Sequence, residues 1–125
     1  MYELTVLSHF AAAHQIRCLH GKCERLHGHN WKIEVRVVSK RLGREGLVID
    51  FGVLKQKVEK VMKTLDHTFL NDLPSFSKRE PSSENIAKYI FDALRKELKG
   101  NTVVLRKVTA WESETACASY LGRSA

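Results

Sequence analysis

The chain has 125 residues, 43% of them hydrophobic and 28% charged, which suits one globular domain over residues 1–125 and excludes two domains or a disordered composition. No apolar run approaches the length of a membrane span, and the start MYELTVLSHF carries Glu3 and no basic leader, so a cytoplasmic protein without a signal peptide is expected. The formal net charge of +7 is spread along the chain and reads as a solvated basic surface, or as attraction for an anionic substrate such as a phosphate ester; no homeodomain, zinc-finger, RRM or KH signature supports a nucleic-acid partner.

The first element is a strand in which Tyr2, Leu4 and Val6 alternate with Glu3 and Thr5, continuing through Phe10 and Ala12 to His14. Residues 15–25 lose the alternation and contain Gly21, which predicts a loop. Alternation resumes with Trp31, Ile33, Val35 and Val37 on one face and Lys32, Glu34 and Arg36 on the other, a half-buried antiparallel strand. The two strands form a long hairpin. Residues 42–46 (LGREG) then make a turn in which Gly43 and Gly46 are available for positive φ.

Phe51, Leu54, Val58, Val61 and Leu65 recur at helical spacing over a polar face of Lys55, Gln56, Glu59, Lys60 and Lys63. A loop is expected from about His67 to Glu80. Ser82 or Ser83 suits an N-cap for a second helix through Ile86, Ile90, Leu94 and Leu98, with Glu84 near its positive end and Gly100 suited to its C-cap. Val103, Val104, Leu105 and Val108 begin a third strand, and residues 116–121 form a shorter fourth. The order ββααββ predicts an α+β domain, a four-stranded antiparallel sheet with two helices on one face.

Three cysteines, Cys18, Cys23 and Cys117, form an odd set without framework spacing, so reduced thiols are expected rather than a disulfide scaffold. His27 and His29 stand two apart. On one strand both imidazoles face the same side, with Cα atoms roughly 6–7 Å apart from two strand rises. Two rings at that separation can share one zinc ion at bonds of about 2 Å. His14, at the end of the paired first strand, can supply a third ligand. Three histidines leave a coordination position open, the pattern of a catalytic zinc. A hydrogen-bonded surface pair is the plainer reading of His27 and His29 alone. A closed structural site of Cys18, Cys23, His27 and His29 is a rival that its longer Cys-x4-Cys spacing disfavours.

AAAH at 11–14, CERLHGHNW at 23–31, LDH at 65–67 and WESET at 111–115 occur in that order over nearly the whole chain. Together they closely resemble the 6-pyruvoyl-tetrahydropterin synthase family, which includes 6-carboxytetrahydropterin synthases. The resemblance implies Zn2+ on His14, His27 and His29, a tunnelling fold, and homo-oligomers, commonly trimers stacked into hexamers, with active sites at subunit interfaces. It matches Cys23 to the family's catalytic thiol; Lys22, Arg25 and a nearby divalent metal should lower such a thiol's pKa. It makes Asp66 and His67 a proton-relaying pair, and Glu112 the carboxylate that grips the pterin's guanidine-like edge, with Glu114 the second choice.

The implied substrate is 7,8-dihydroneopterin triphosphate, and the implied activity is that of a zinc-dependent lyase. Cys-x3-HGH spacing resembles the 6-carboxytetrahydropterin synthases of queuosine and deazapurine biosynthesis. Glu24, directly after Cys23, resembles members that cleave the side chain to 6-hydroxymethyldihydropterin for folate, so a second activity is an expectation weighed equally with an exposed loop acid. Triphosphate elimination, as in a 6-pyruvoyl-tetrahydropterin synthase, and a non-catalytic zinc-binding scaffold are the alternatives. Cys18 and Cys117 read as structural; His9 and His20 have no assigned role.

Overall fold

A computed structural model describes residues 1–17 and 25–123. Strands β1 (Tyr2–His14) and β2 (His27–Ser39) form the expected hairpin, in antiparallel register from Tyr2 opposite Ser39 to His14 opposite His27. Helix α1 (Phe51–Leu65) and helix α2 (Ser83–Glu97) are separated by strand β3 (Thr68–Phe69) and two short 3-10 turns. Strands β4 (Val104–Trp111) and β5 (Cys117–Leu121) follow α2. No helix among the described residues is long and apolar enough to cross a membrane.

Both helices have the caps that their ends require. The Asp50 carboxylate accepts from Gly52 N at 2.6 Å at the start of α1, and Ser82 Oγ accepts from Asn85 N at 3.2 Å at the start of α2. Glu84 lies in the first turn of α2 and Arg95 and Lys96 in its last, each matched in sign to the helix dipole. The C-cap of α2 is Leu98 rather than Gly100, which turns the chain away two residues later at φ 89°.

The sheet corrects one expectation. Among the described residues it has five strands, in the order β3-β1-β2-β4-β5, and β3 runs parallel to β1 rather than antiparallel. Two residues are too few to show an alternation, so β3 lay hidden in the expected 67–80 loop. What forms it is a local turn. His67 adopts φ 57°, in the left-handed region, and its N–H donates to Ala11 O at 2.6 Å, which lays Thr68 and Phe69 beside Ala12 and Ala13.

The core lies between the sheet's inner face and the two helices. Trp31, Ile33, Val35 and Val37, the predicted inward set of β2, are fully buried with Val6, Phe10, Val108 and Ala110. Leu54, Val58 and Leu65 of α1 and Ile86, Ile90 and Leu94 of α2 close over them. The driving term is removal of this apolar surface from water, about 1.5–3 kcal/mol for each large side chain. Phe51, included in the α1 apolar stripe, is instead 51% exposed, because it begins the helix outside the packed layer.

Candidate metal centre

Strand parity decides which side chains meet at the open end of the inner face. On β1 the even-numbered residues point inward, ending in His14; on β2 the odd-numbered residues do, beginning with His27 and His29. Val108 and Ala110 point inward on β4, and Glu112 follows them in parity just past the strand end. Trp111 points the other way, under the Lys32 ammonium and donating to Glu34 at 3.1 Å. Three neighbouring strands thus deliver His14, His27, His29 and Glu112 to one place, where one ligand atom from each lies within 4.8 Å of the others.

The floor of this cluster is buried and its rim is open. His14 is 1% exposed, whereas His27, His29 and Glu112 are each about a quarter to a third exposed. Trp31, fully buried, meets the rings of His14 and His29 edge-on at 5.3 and 5.5 Å. The backbone sets ring orientation. His14 Nδ1 lies 2.7 Å from Pro81 O, and His27 Nδ1 lies 2.7 Å from Arg25 O. A carbonyl can only accept, so each Nδ1 carries the proton and each Nε2 presents its lone pair.

The two Nε2 atoms lie 3.0 Å apart. Two neutral imidazoles would repel there; a cation between them removes the conflict. Tetrahedral zinc with bonds of about 2.0–2.1 Å holds its ligands roughly 3.3 Å apart, close to the separation observed. Glu112 Oε1 lies 2.9 Å from His29 Nε2, 3.4 Å from His14 Nε2 and 3.9 Å from His27 Nε2, and adds the negative charge that favours a divalent ion. The donor set fits a metal ion of nitrogen and oxygen preference.

The sequence reading gives Glu112 a substrate role and does not set it beside the histidines; the geometry adds it to the candidate metal donors. Its parity with Val108 and Ala110 was the available signal. Its other oxygen, Oε2, accepts from Ser83 Oγ at 3.5 Å, so the first turn of α2 also holds it. Glu114, the second choice, is exposed in the turn that follows.

Asp66 and His67 form the expected pair, apart from the cluster. Asp66 Oδ2 lies 2.9 Å from His67 Nδ1, and Asp66 Oδ1 accepts from Ala11 N at 2.8 Å. The Ala11 bond, with smaller help from His67 and against a desolvation that acts the other way, holds the Asp66 carboxyl below its usual 3.8. A depressed carboxyl stabilises the fold above its ordinary pKa, and that contribution fades as pH falls through the depressed value. His67 is 83% exposed. Among the described residues the polar side-chain contacts of Asp66 are with His67 and Ala11 at the β3 edge, and its N–H closes α1 on Met62 O; none reaches the histidine cluster.

Cys18, His20, Cys23 and Glu24 lie outside the described residues. Arg17 makes a set of contacts that sequence reading missed. The Arg17 guanidinium binds Glu80 at 3.1 Å and the carbonyls of Phe76, Ser77 and Arg79 at 2.5, 3.2 and 3.0 Å. Cys117, read as structural, is an exposed free thiol on β5. His9 is exposed on the outer face of β1.

Comparison with known proteins places this site in a recognisable setting. The family described as 6-pyruvoyl tetrahydropterin synthase matches residues 3–123. A 6-carboxy-5,6,7,8-tetrahydropterin synthase of Synechocystis is 42% identical over 116 residues, covering 89% of this chain and 86% of the relative. A dihydroneopterin monophosphate aldolase of Pyrococcus furiosus is 40% identical over 103 residues, covering 82% of each. The solved structure of the Caenorhabditis elegans 6-pyruvoyl tetrahydropterin synthase superposes with a TM-score of 0.85 at 30% identity, covering 98% of this chain and 96% of that one.

Proposed function

This chain belongs to the 6-pyruvoyl tetrahydropterin synthase family, and from that premise we propose that it is a zinc-dependent lyase acting on 7,8-dihydroneopterin triphosphate to form 6-carboxytetrahydropterin. The observation that carries the metal half is the convergence of His14, His27 and His29, with the Nδ1 of His14 and of His27 committed to a carbonyl. The substrate half draws support from the 42%-identical relative and from the Cys-x3-HGH spacing at 23–29. The protein is cytoplasmic in this reading, and its product serves the queuosine type of deazapurine synthesis.

Each residue has a role that its chemistry suits. His14, His27 and His29 hold the zinc, which when bound supplies Lewis acidity toward the hydroxyl oxygens of the substrate side chain. Glu112 accepts paired N–H bonds from the pterin's guanidine-like edge and so fixes which carbon faces the base. Cys23 removes the proton. His67, held at Nδ1 by Asp66, exchanges a proton at Nε2. The +7 charge draws in the triphosphate. Because His67 is exposed and makes its contacts away from the cluster, we assign it to a site completed by a neighbouring copy, in a trimer or hexamer.

A second activity is favoured by the aldolase relative and by Glu24 beside Cys23: cleavage to 6-hydroxymethyldihydropterin, a folate precursor. Mass spectrometry of the products separates the two. Cys23→Ala is expected to lower 6-carboxytetrahydropterin formation by about 10²–10⁴-fold, the usual contribution of a positioned base. Glu24→Ala is expected to remove only the hydroxymethyl product. Unchanged products in Glu24→Ala would discard the second activity. Full activity in Cys23→Ala would remove the thiol from the mechanism. Metal-replete protein without any turnover would favour the scaffold reading.

A further inference from the structure

Glu112 has two demands on one carboxylate. Paired hydrogen bonds to a guanidine-like edge need both oxygens. In the structure Oε1 instead lies 2.9, 3.4 and 3.9 Å from the Nε2 atoms of His29, His14 and His27, while Oε2 meets Ser83 Oγ. The first three distances bracket the roughly 3.3 Å that separates ligands on a tetrahedral zinc with bonds near 2.0 Å. A carboxylate oxygen positioned against all three nitrogens has the geometry of a fourth ligand. It cannot hold that place and receive a ring edge bidentately at the same time.

Its mounting allows exchange. The backbone at Glu112 is fixed by its N–H bond to Ala116 O at 3.2 Å, so the chain need not move. The side chain is 35% exposed on the rim, and rotation about its own bonds carries the carboxylate out. His14, by contrast, is buried and tied to Pro81, and does not leave.

We propose that Glu112 closes the zinc coordination sphere while the site holds no pterin, and leaves it when the pterin ring takes its carboxylate, so that anchoring the ring opens the position used by the substrate side chain. This rests on the function proposed above. It makes the resting site a four-ligand, closed centre, and it couples ring recognition to exposure of the metal. Compounds bearing the triphosphate and hydroxyls without a pterin ring meet a closed site.

Cobalt(II) reports the coordination sphere directly. The protein is stripped with a chelator and reloaded with cobalt, and its visible spectrum and metal affinity are compared with those of Glu112→Gln. Circular dichroism checks folding, and Glu112→Asp, which keeps the charge on a shorter arm, stands in should the amide variant misfold. The expected result is a changed cobalt band and an affinity weaker by at least the ~10-fold that loss of an outer-shell partner costs. Unsubstituted 2-amino-4-oxopteridine, which has no side chain to bind metal, then moves the wild-type band toward that of Glu112→Gln.

Identical spectra and affinities in the wild type and Glu112→Gln would overturn the proposal, leaving Glu112 as an ion-pair partner of His29 only. Pteridine binding, seen by ring fluorescence, without any movement of the cobalt band would overturn the exchange. No pteridine binding, with the cobalt difference between wild type and variant intact, would overturn the substrate reading and leave the ligand role standing.

Discussion

His14→Ala is expected to lose metal and turnover together. His14 is the buried anchor of the cluster, with Nδ1 committed to Pro81 O and Nε2 3.0 Å from that of His27. Alanine removes one of the three nitrogens proposed to hold zinc and leaves the Pro81 carbonyl without its donor, a penalty of about 1–3 kcal/mol. Zinc affinity should fall by well over the ~10–100-fold associated with losing an outer-shell partner, because a direct ligand goes. The fall in stability comes from two sources, the orphaned carbonyl and the lost linkage to bound metal. His27→Ala separates them: His27 is about one-third exposed, so its loss should release metal with a smaller drop in metal-free Tm. Chelator-competition titration and thermal melts of the apo forms read both quantities. Retention of tight zinc by His14→Ala would remove it from the ligand set.

His67→Asn is expected to lower kcat by about 10²–10⁴-fold, the range for a positioned proton-transfer group, with zinc content unchanged. Asparagine is the substitution of choice because His67 stands at φ 57°, where asparagine is tolerated better than alanine. The amide keeps a polar partner for Asp66 and cannot cycle a proton at neutral pH. Unaltered metal binding is as informative as the lost rate. It follows from the position of His67 at the β3 edge, contacting Asp66 and Ala11 rather than the histidines. A variant that keeps full kcat would dismiss His67 from proton transfer, and one that loses zinc would place it in the metal site.

Much of this arrangement was legible wherever a simple period governed the chain. The alternation of Trp31, Ile33, Val35 and Val37 located β2 and, extended backward, put His27 and His29 on one face. Extending β1 to His14 predicted a third ligand, and the register does pair His14 with His27. Period failed in two places. The β3 strand is made by the left-handed turn at His67 and by backbone bonding to Ala11, neither of which leaves an apolar pattern. The approach of Glu112 to the histidines depends on β4 lying beside β2, with Lys32 opposite Trp111. That pairing joins residues some eighty positions apart and has no local signature.

The two failures share a physical origin. Both concern where distant segments dock, whereas local periodicity reports only which face of an element is apolar. The family motifs helped because they bring together positions from all four regions: AAAH, HGH, LDH and WESET contain the residues that build the cluster and the Asp66–His67 pair.

Metal-dependent turnover of one substrate is the most direct test of the zinc-dependent lyase. Protein as purified is incubated with 7,8-dihydroneopterin triphosphate, with and without prior removal of metal by a chelator, and the product is identified by mass. The expected result is 6-carboxytetrahydropterin, lost on chelation and restored by added zinc. Undiminished product after complete metal removal, or intact substrate in the presence of a fully zinc-loaded chain, would contradict it.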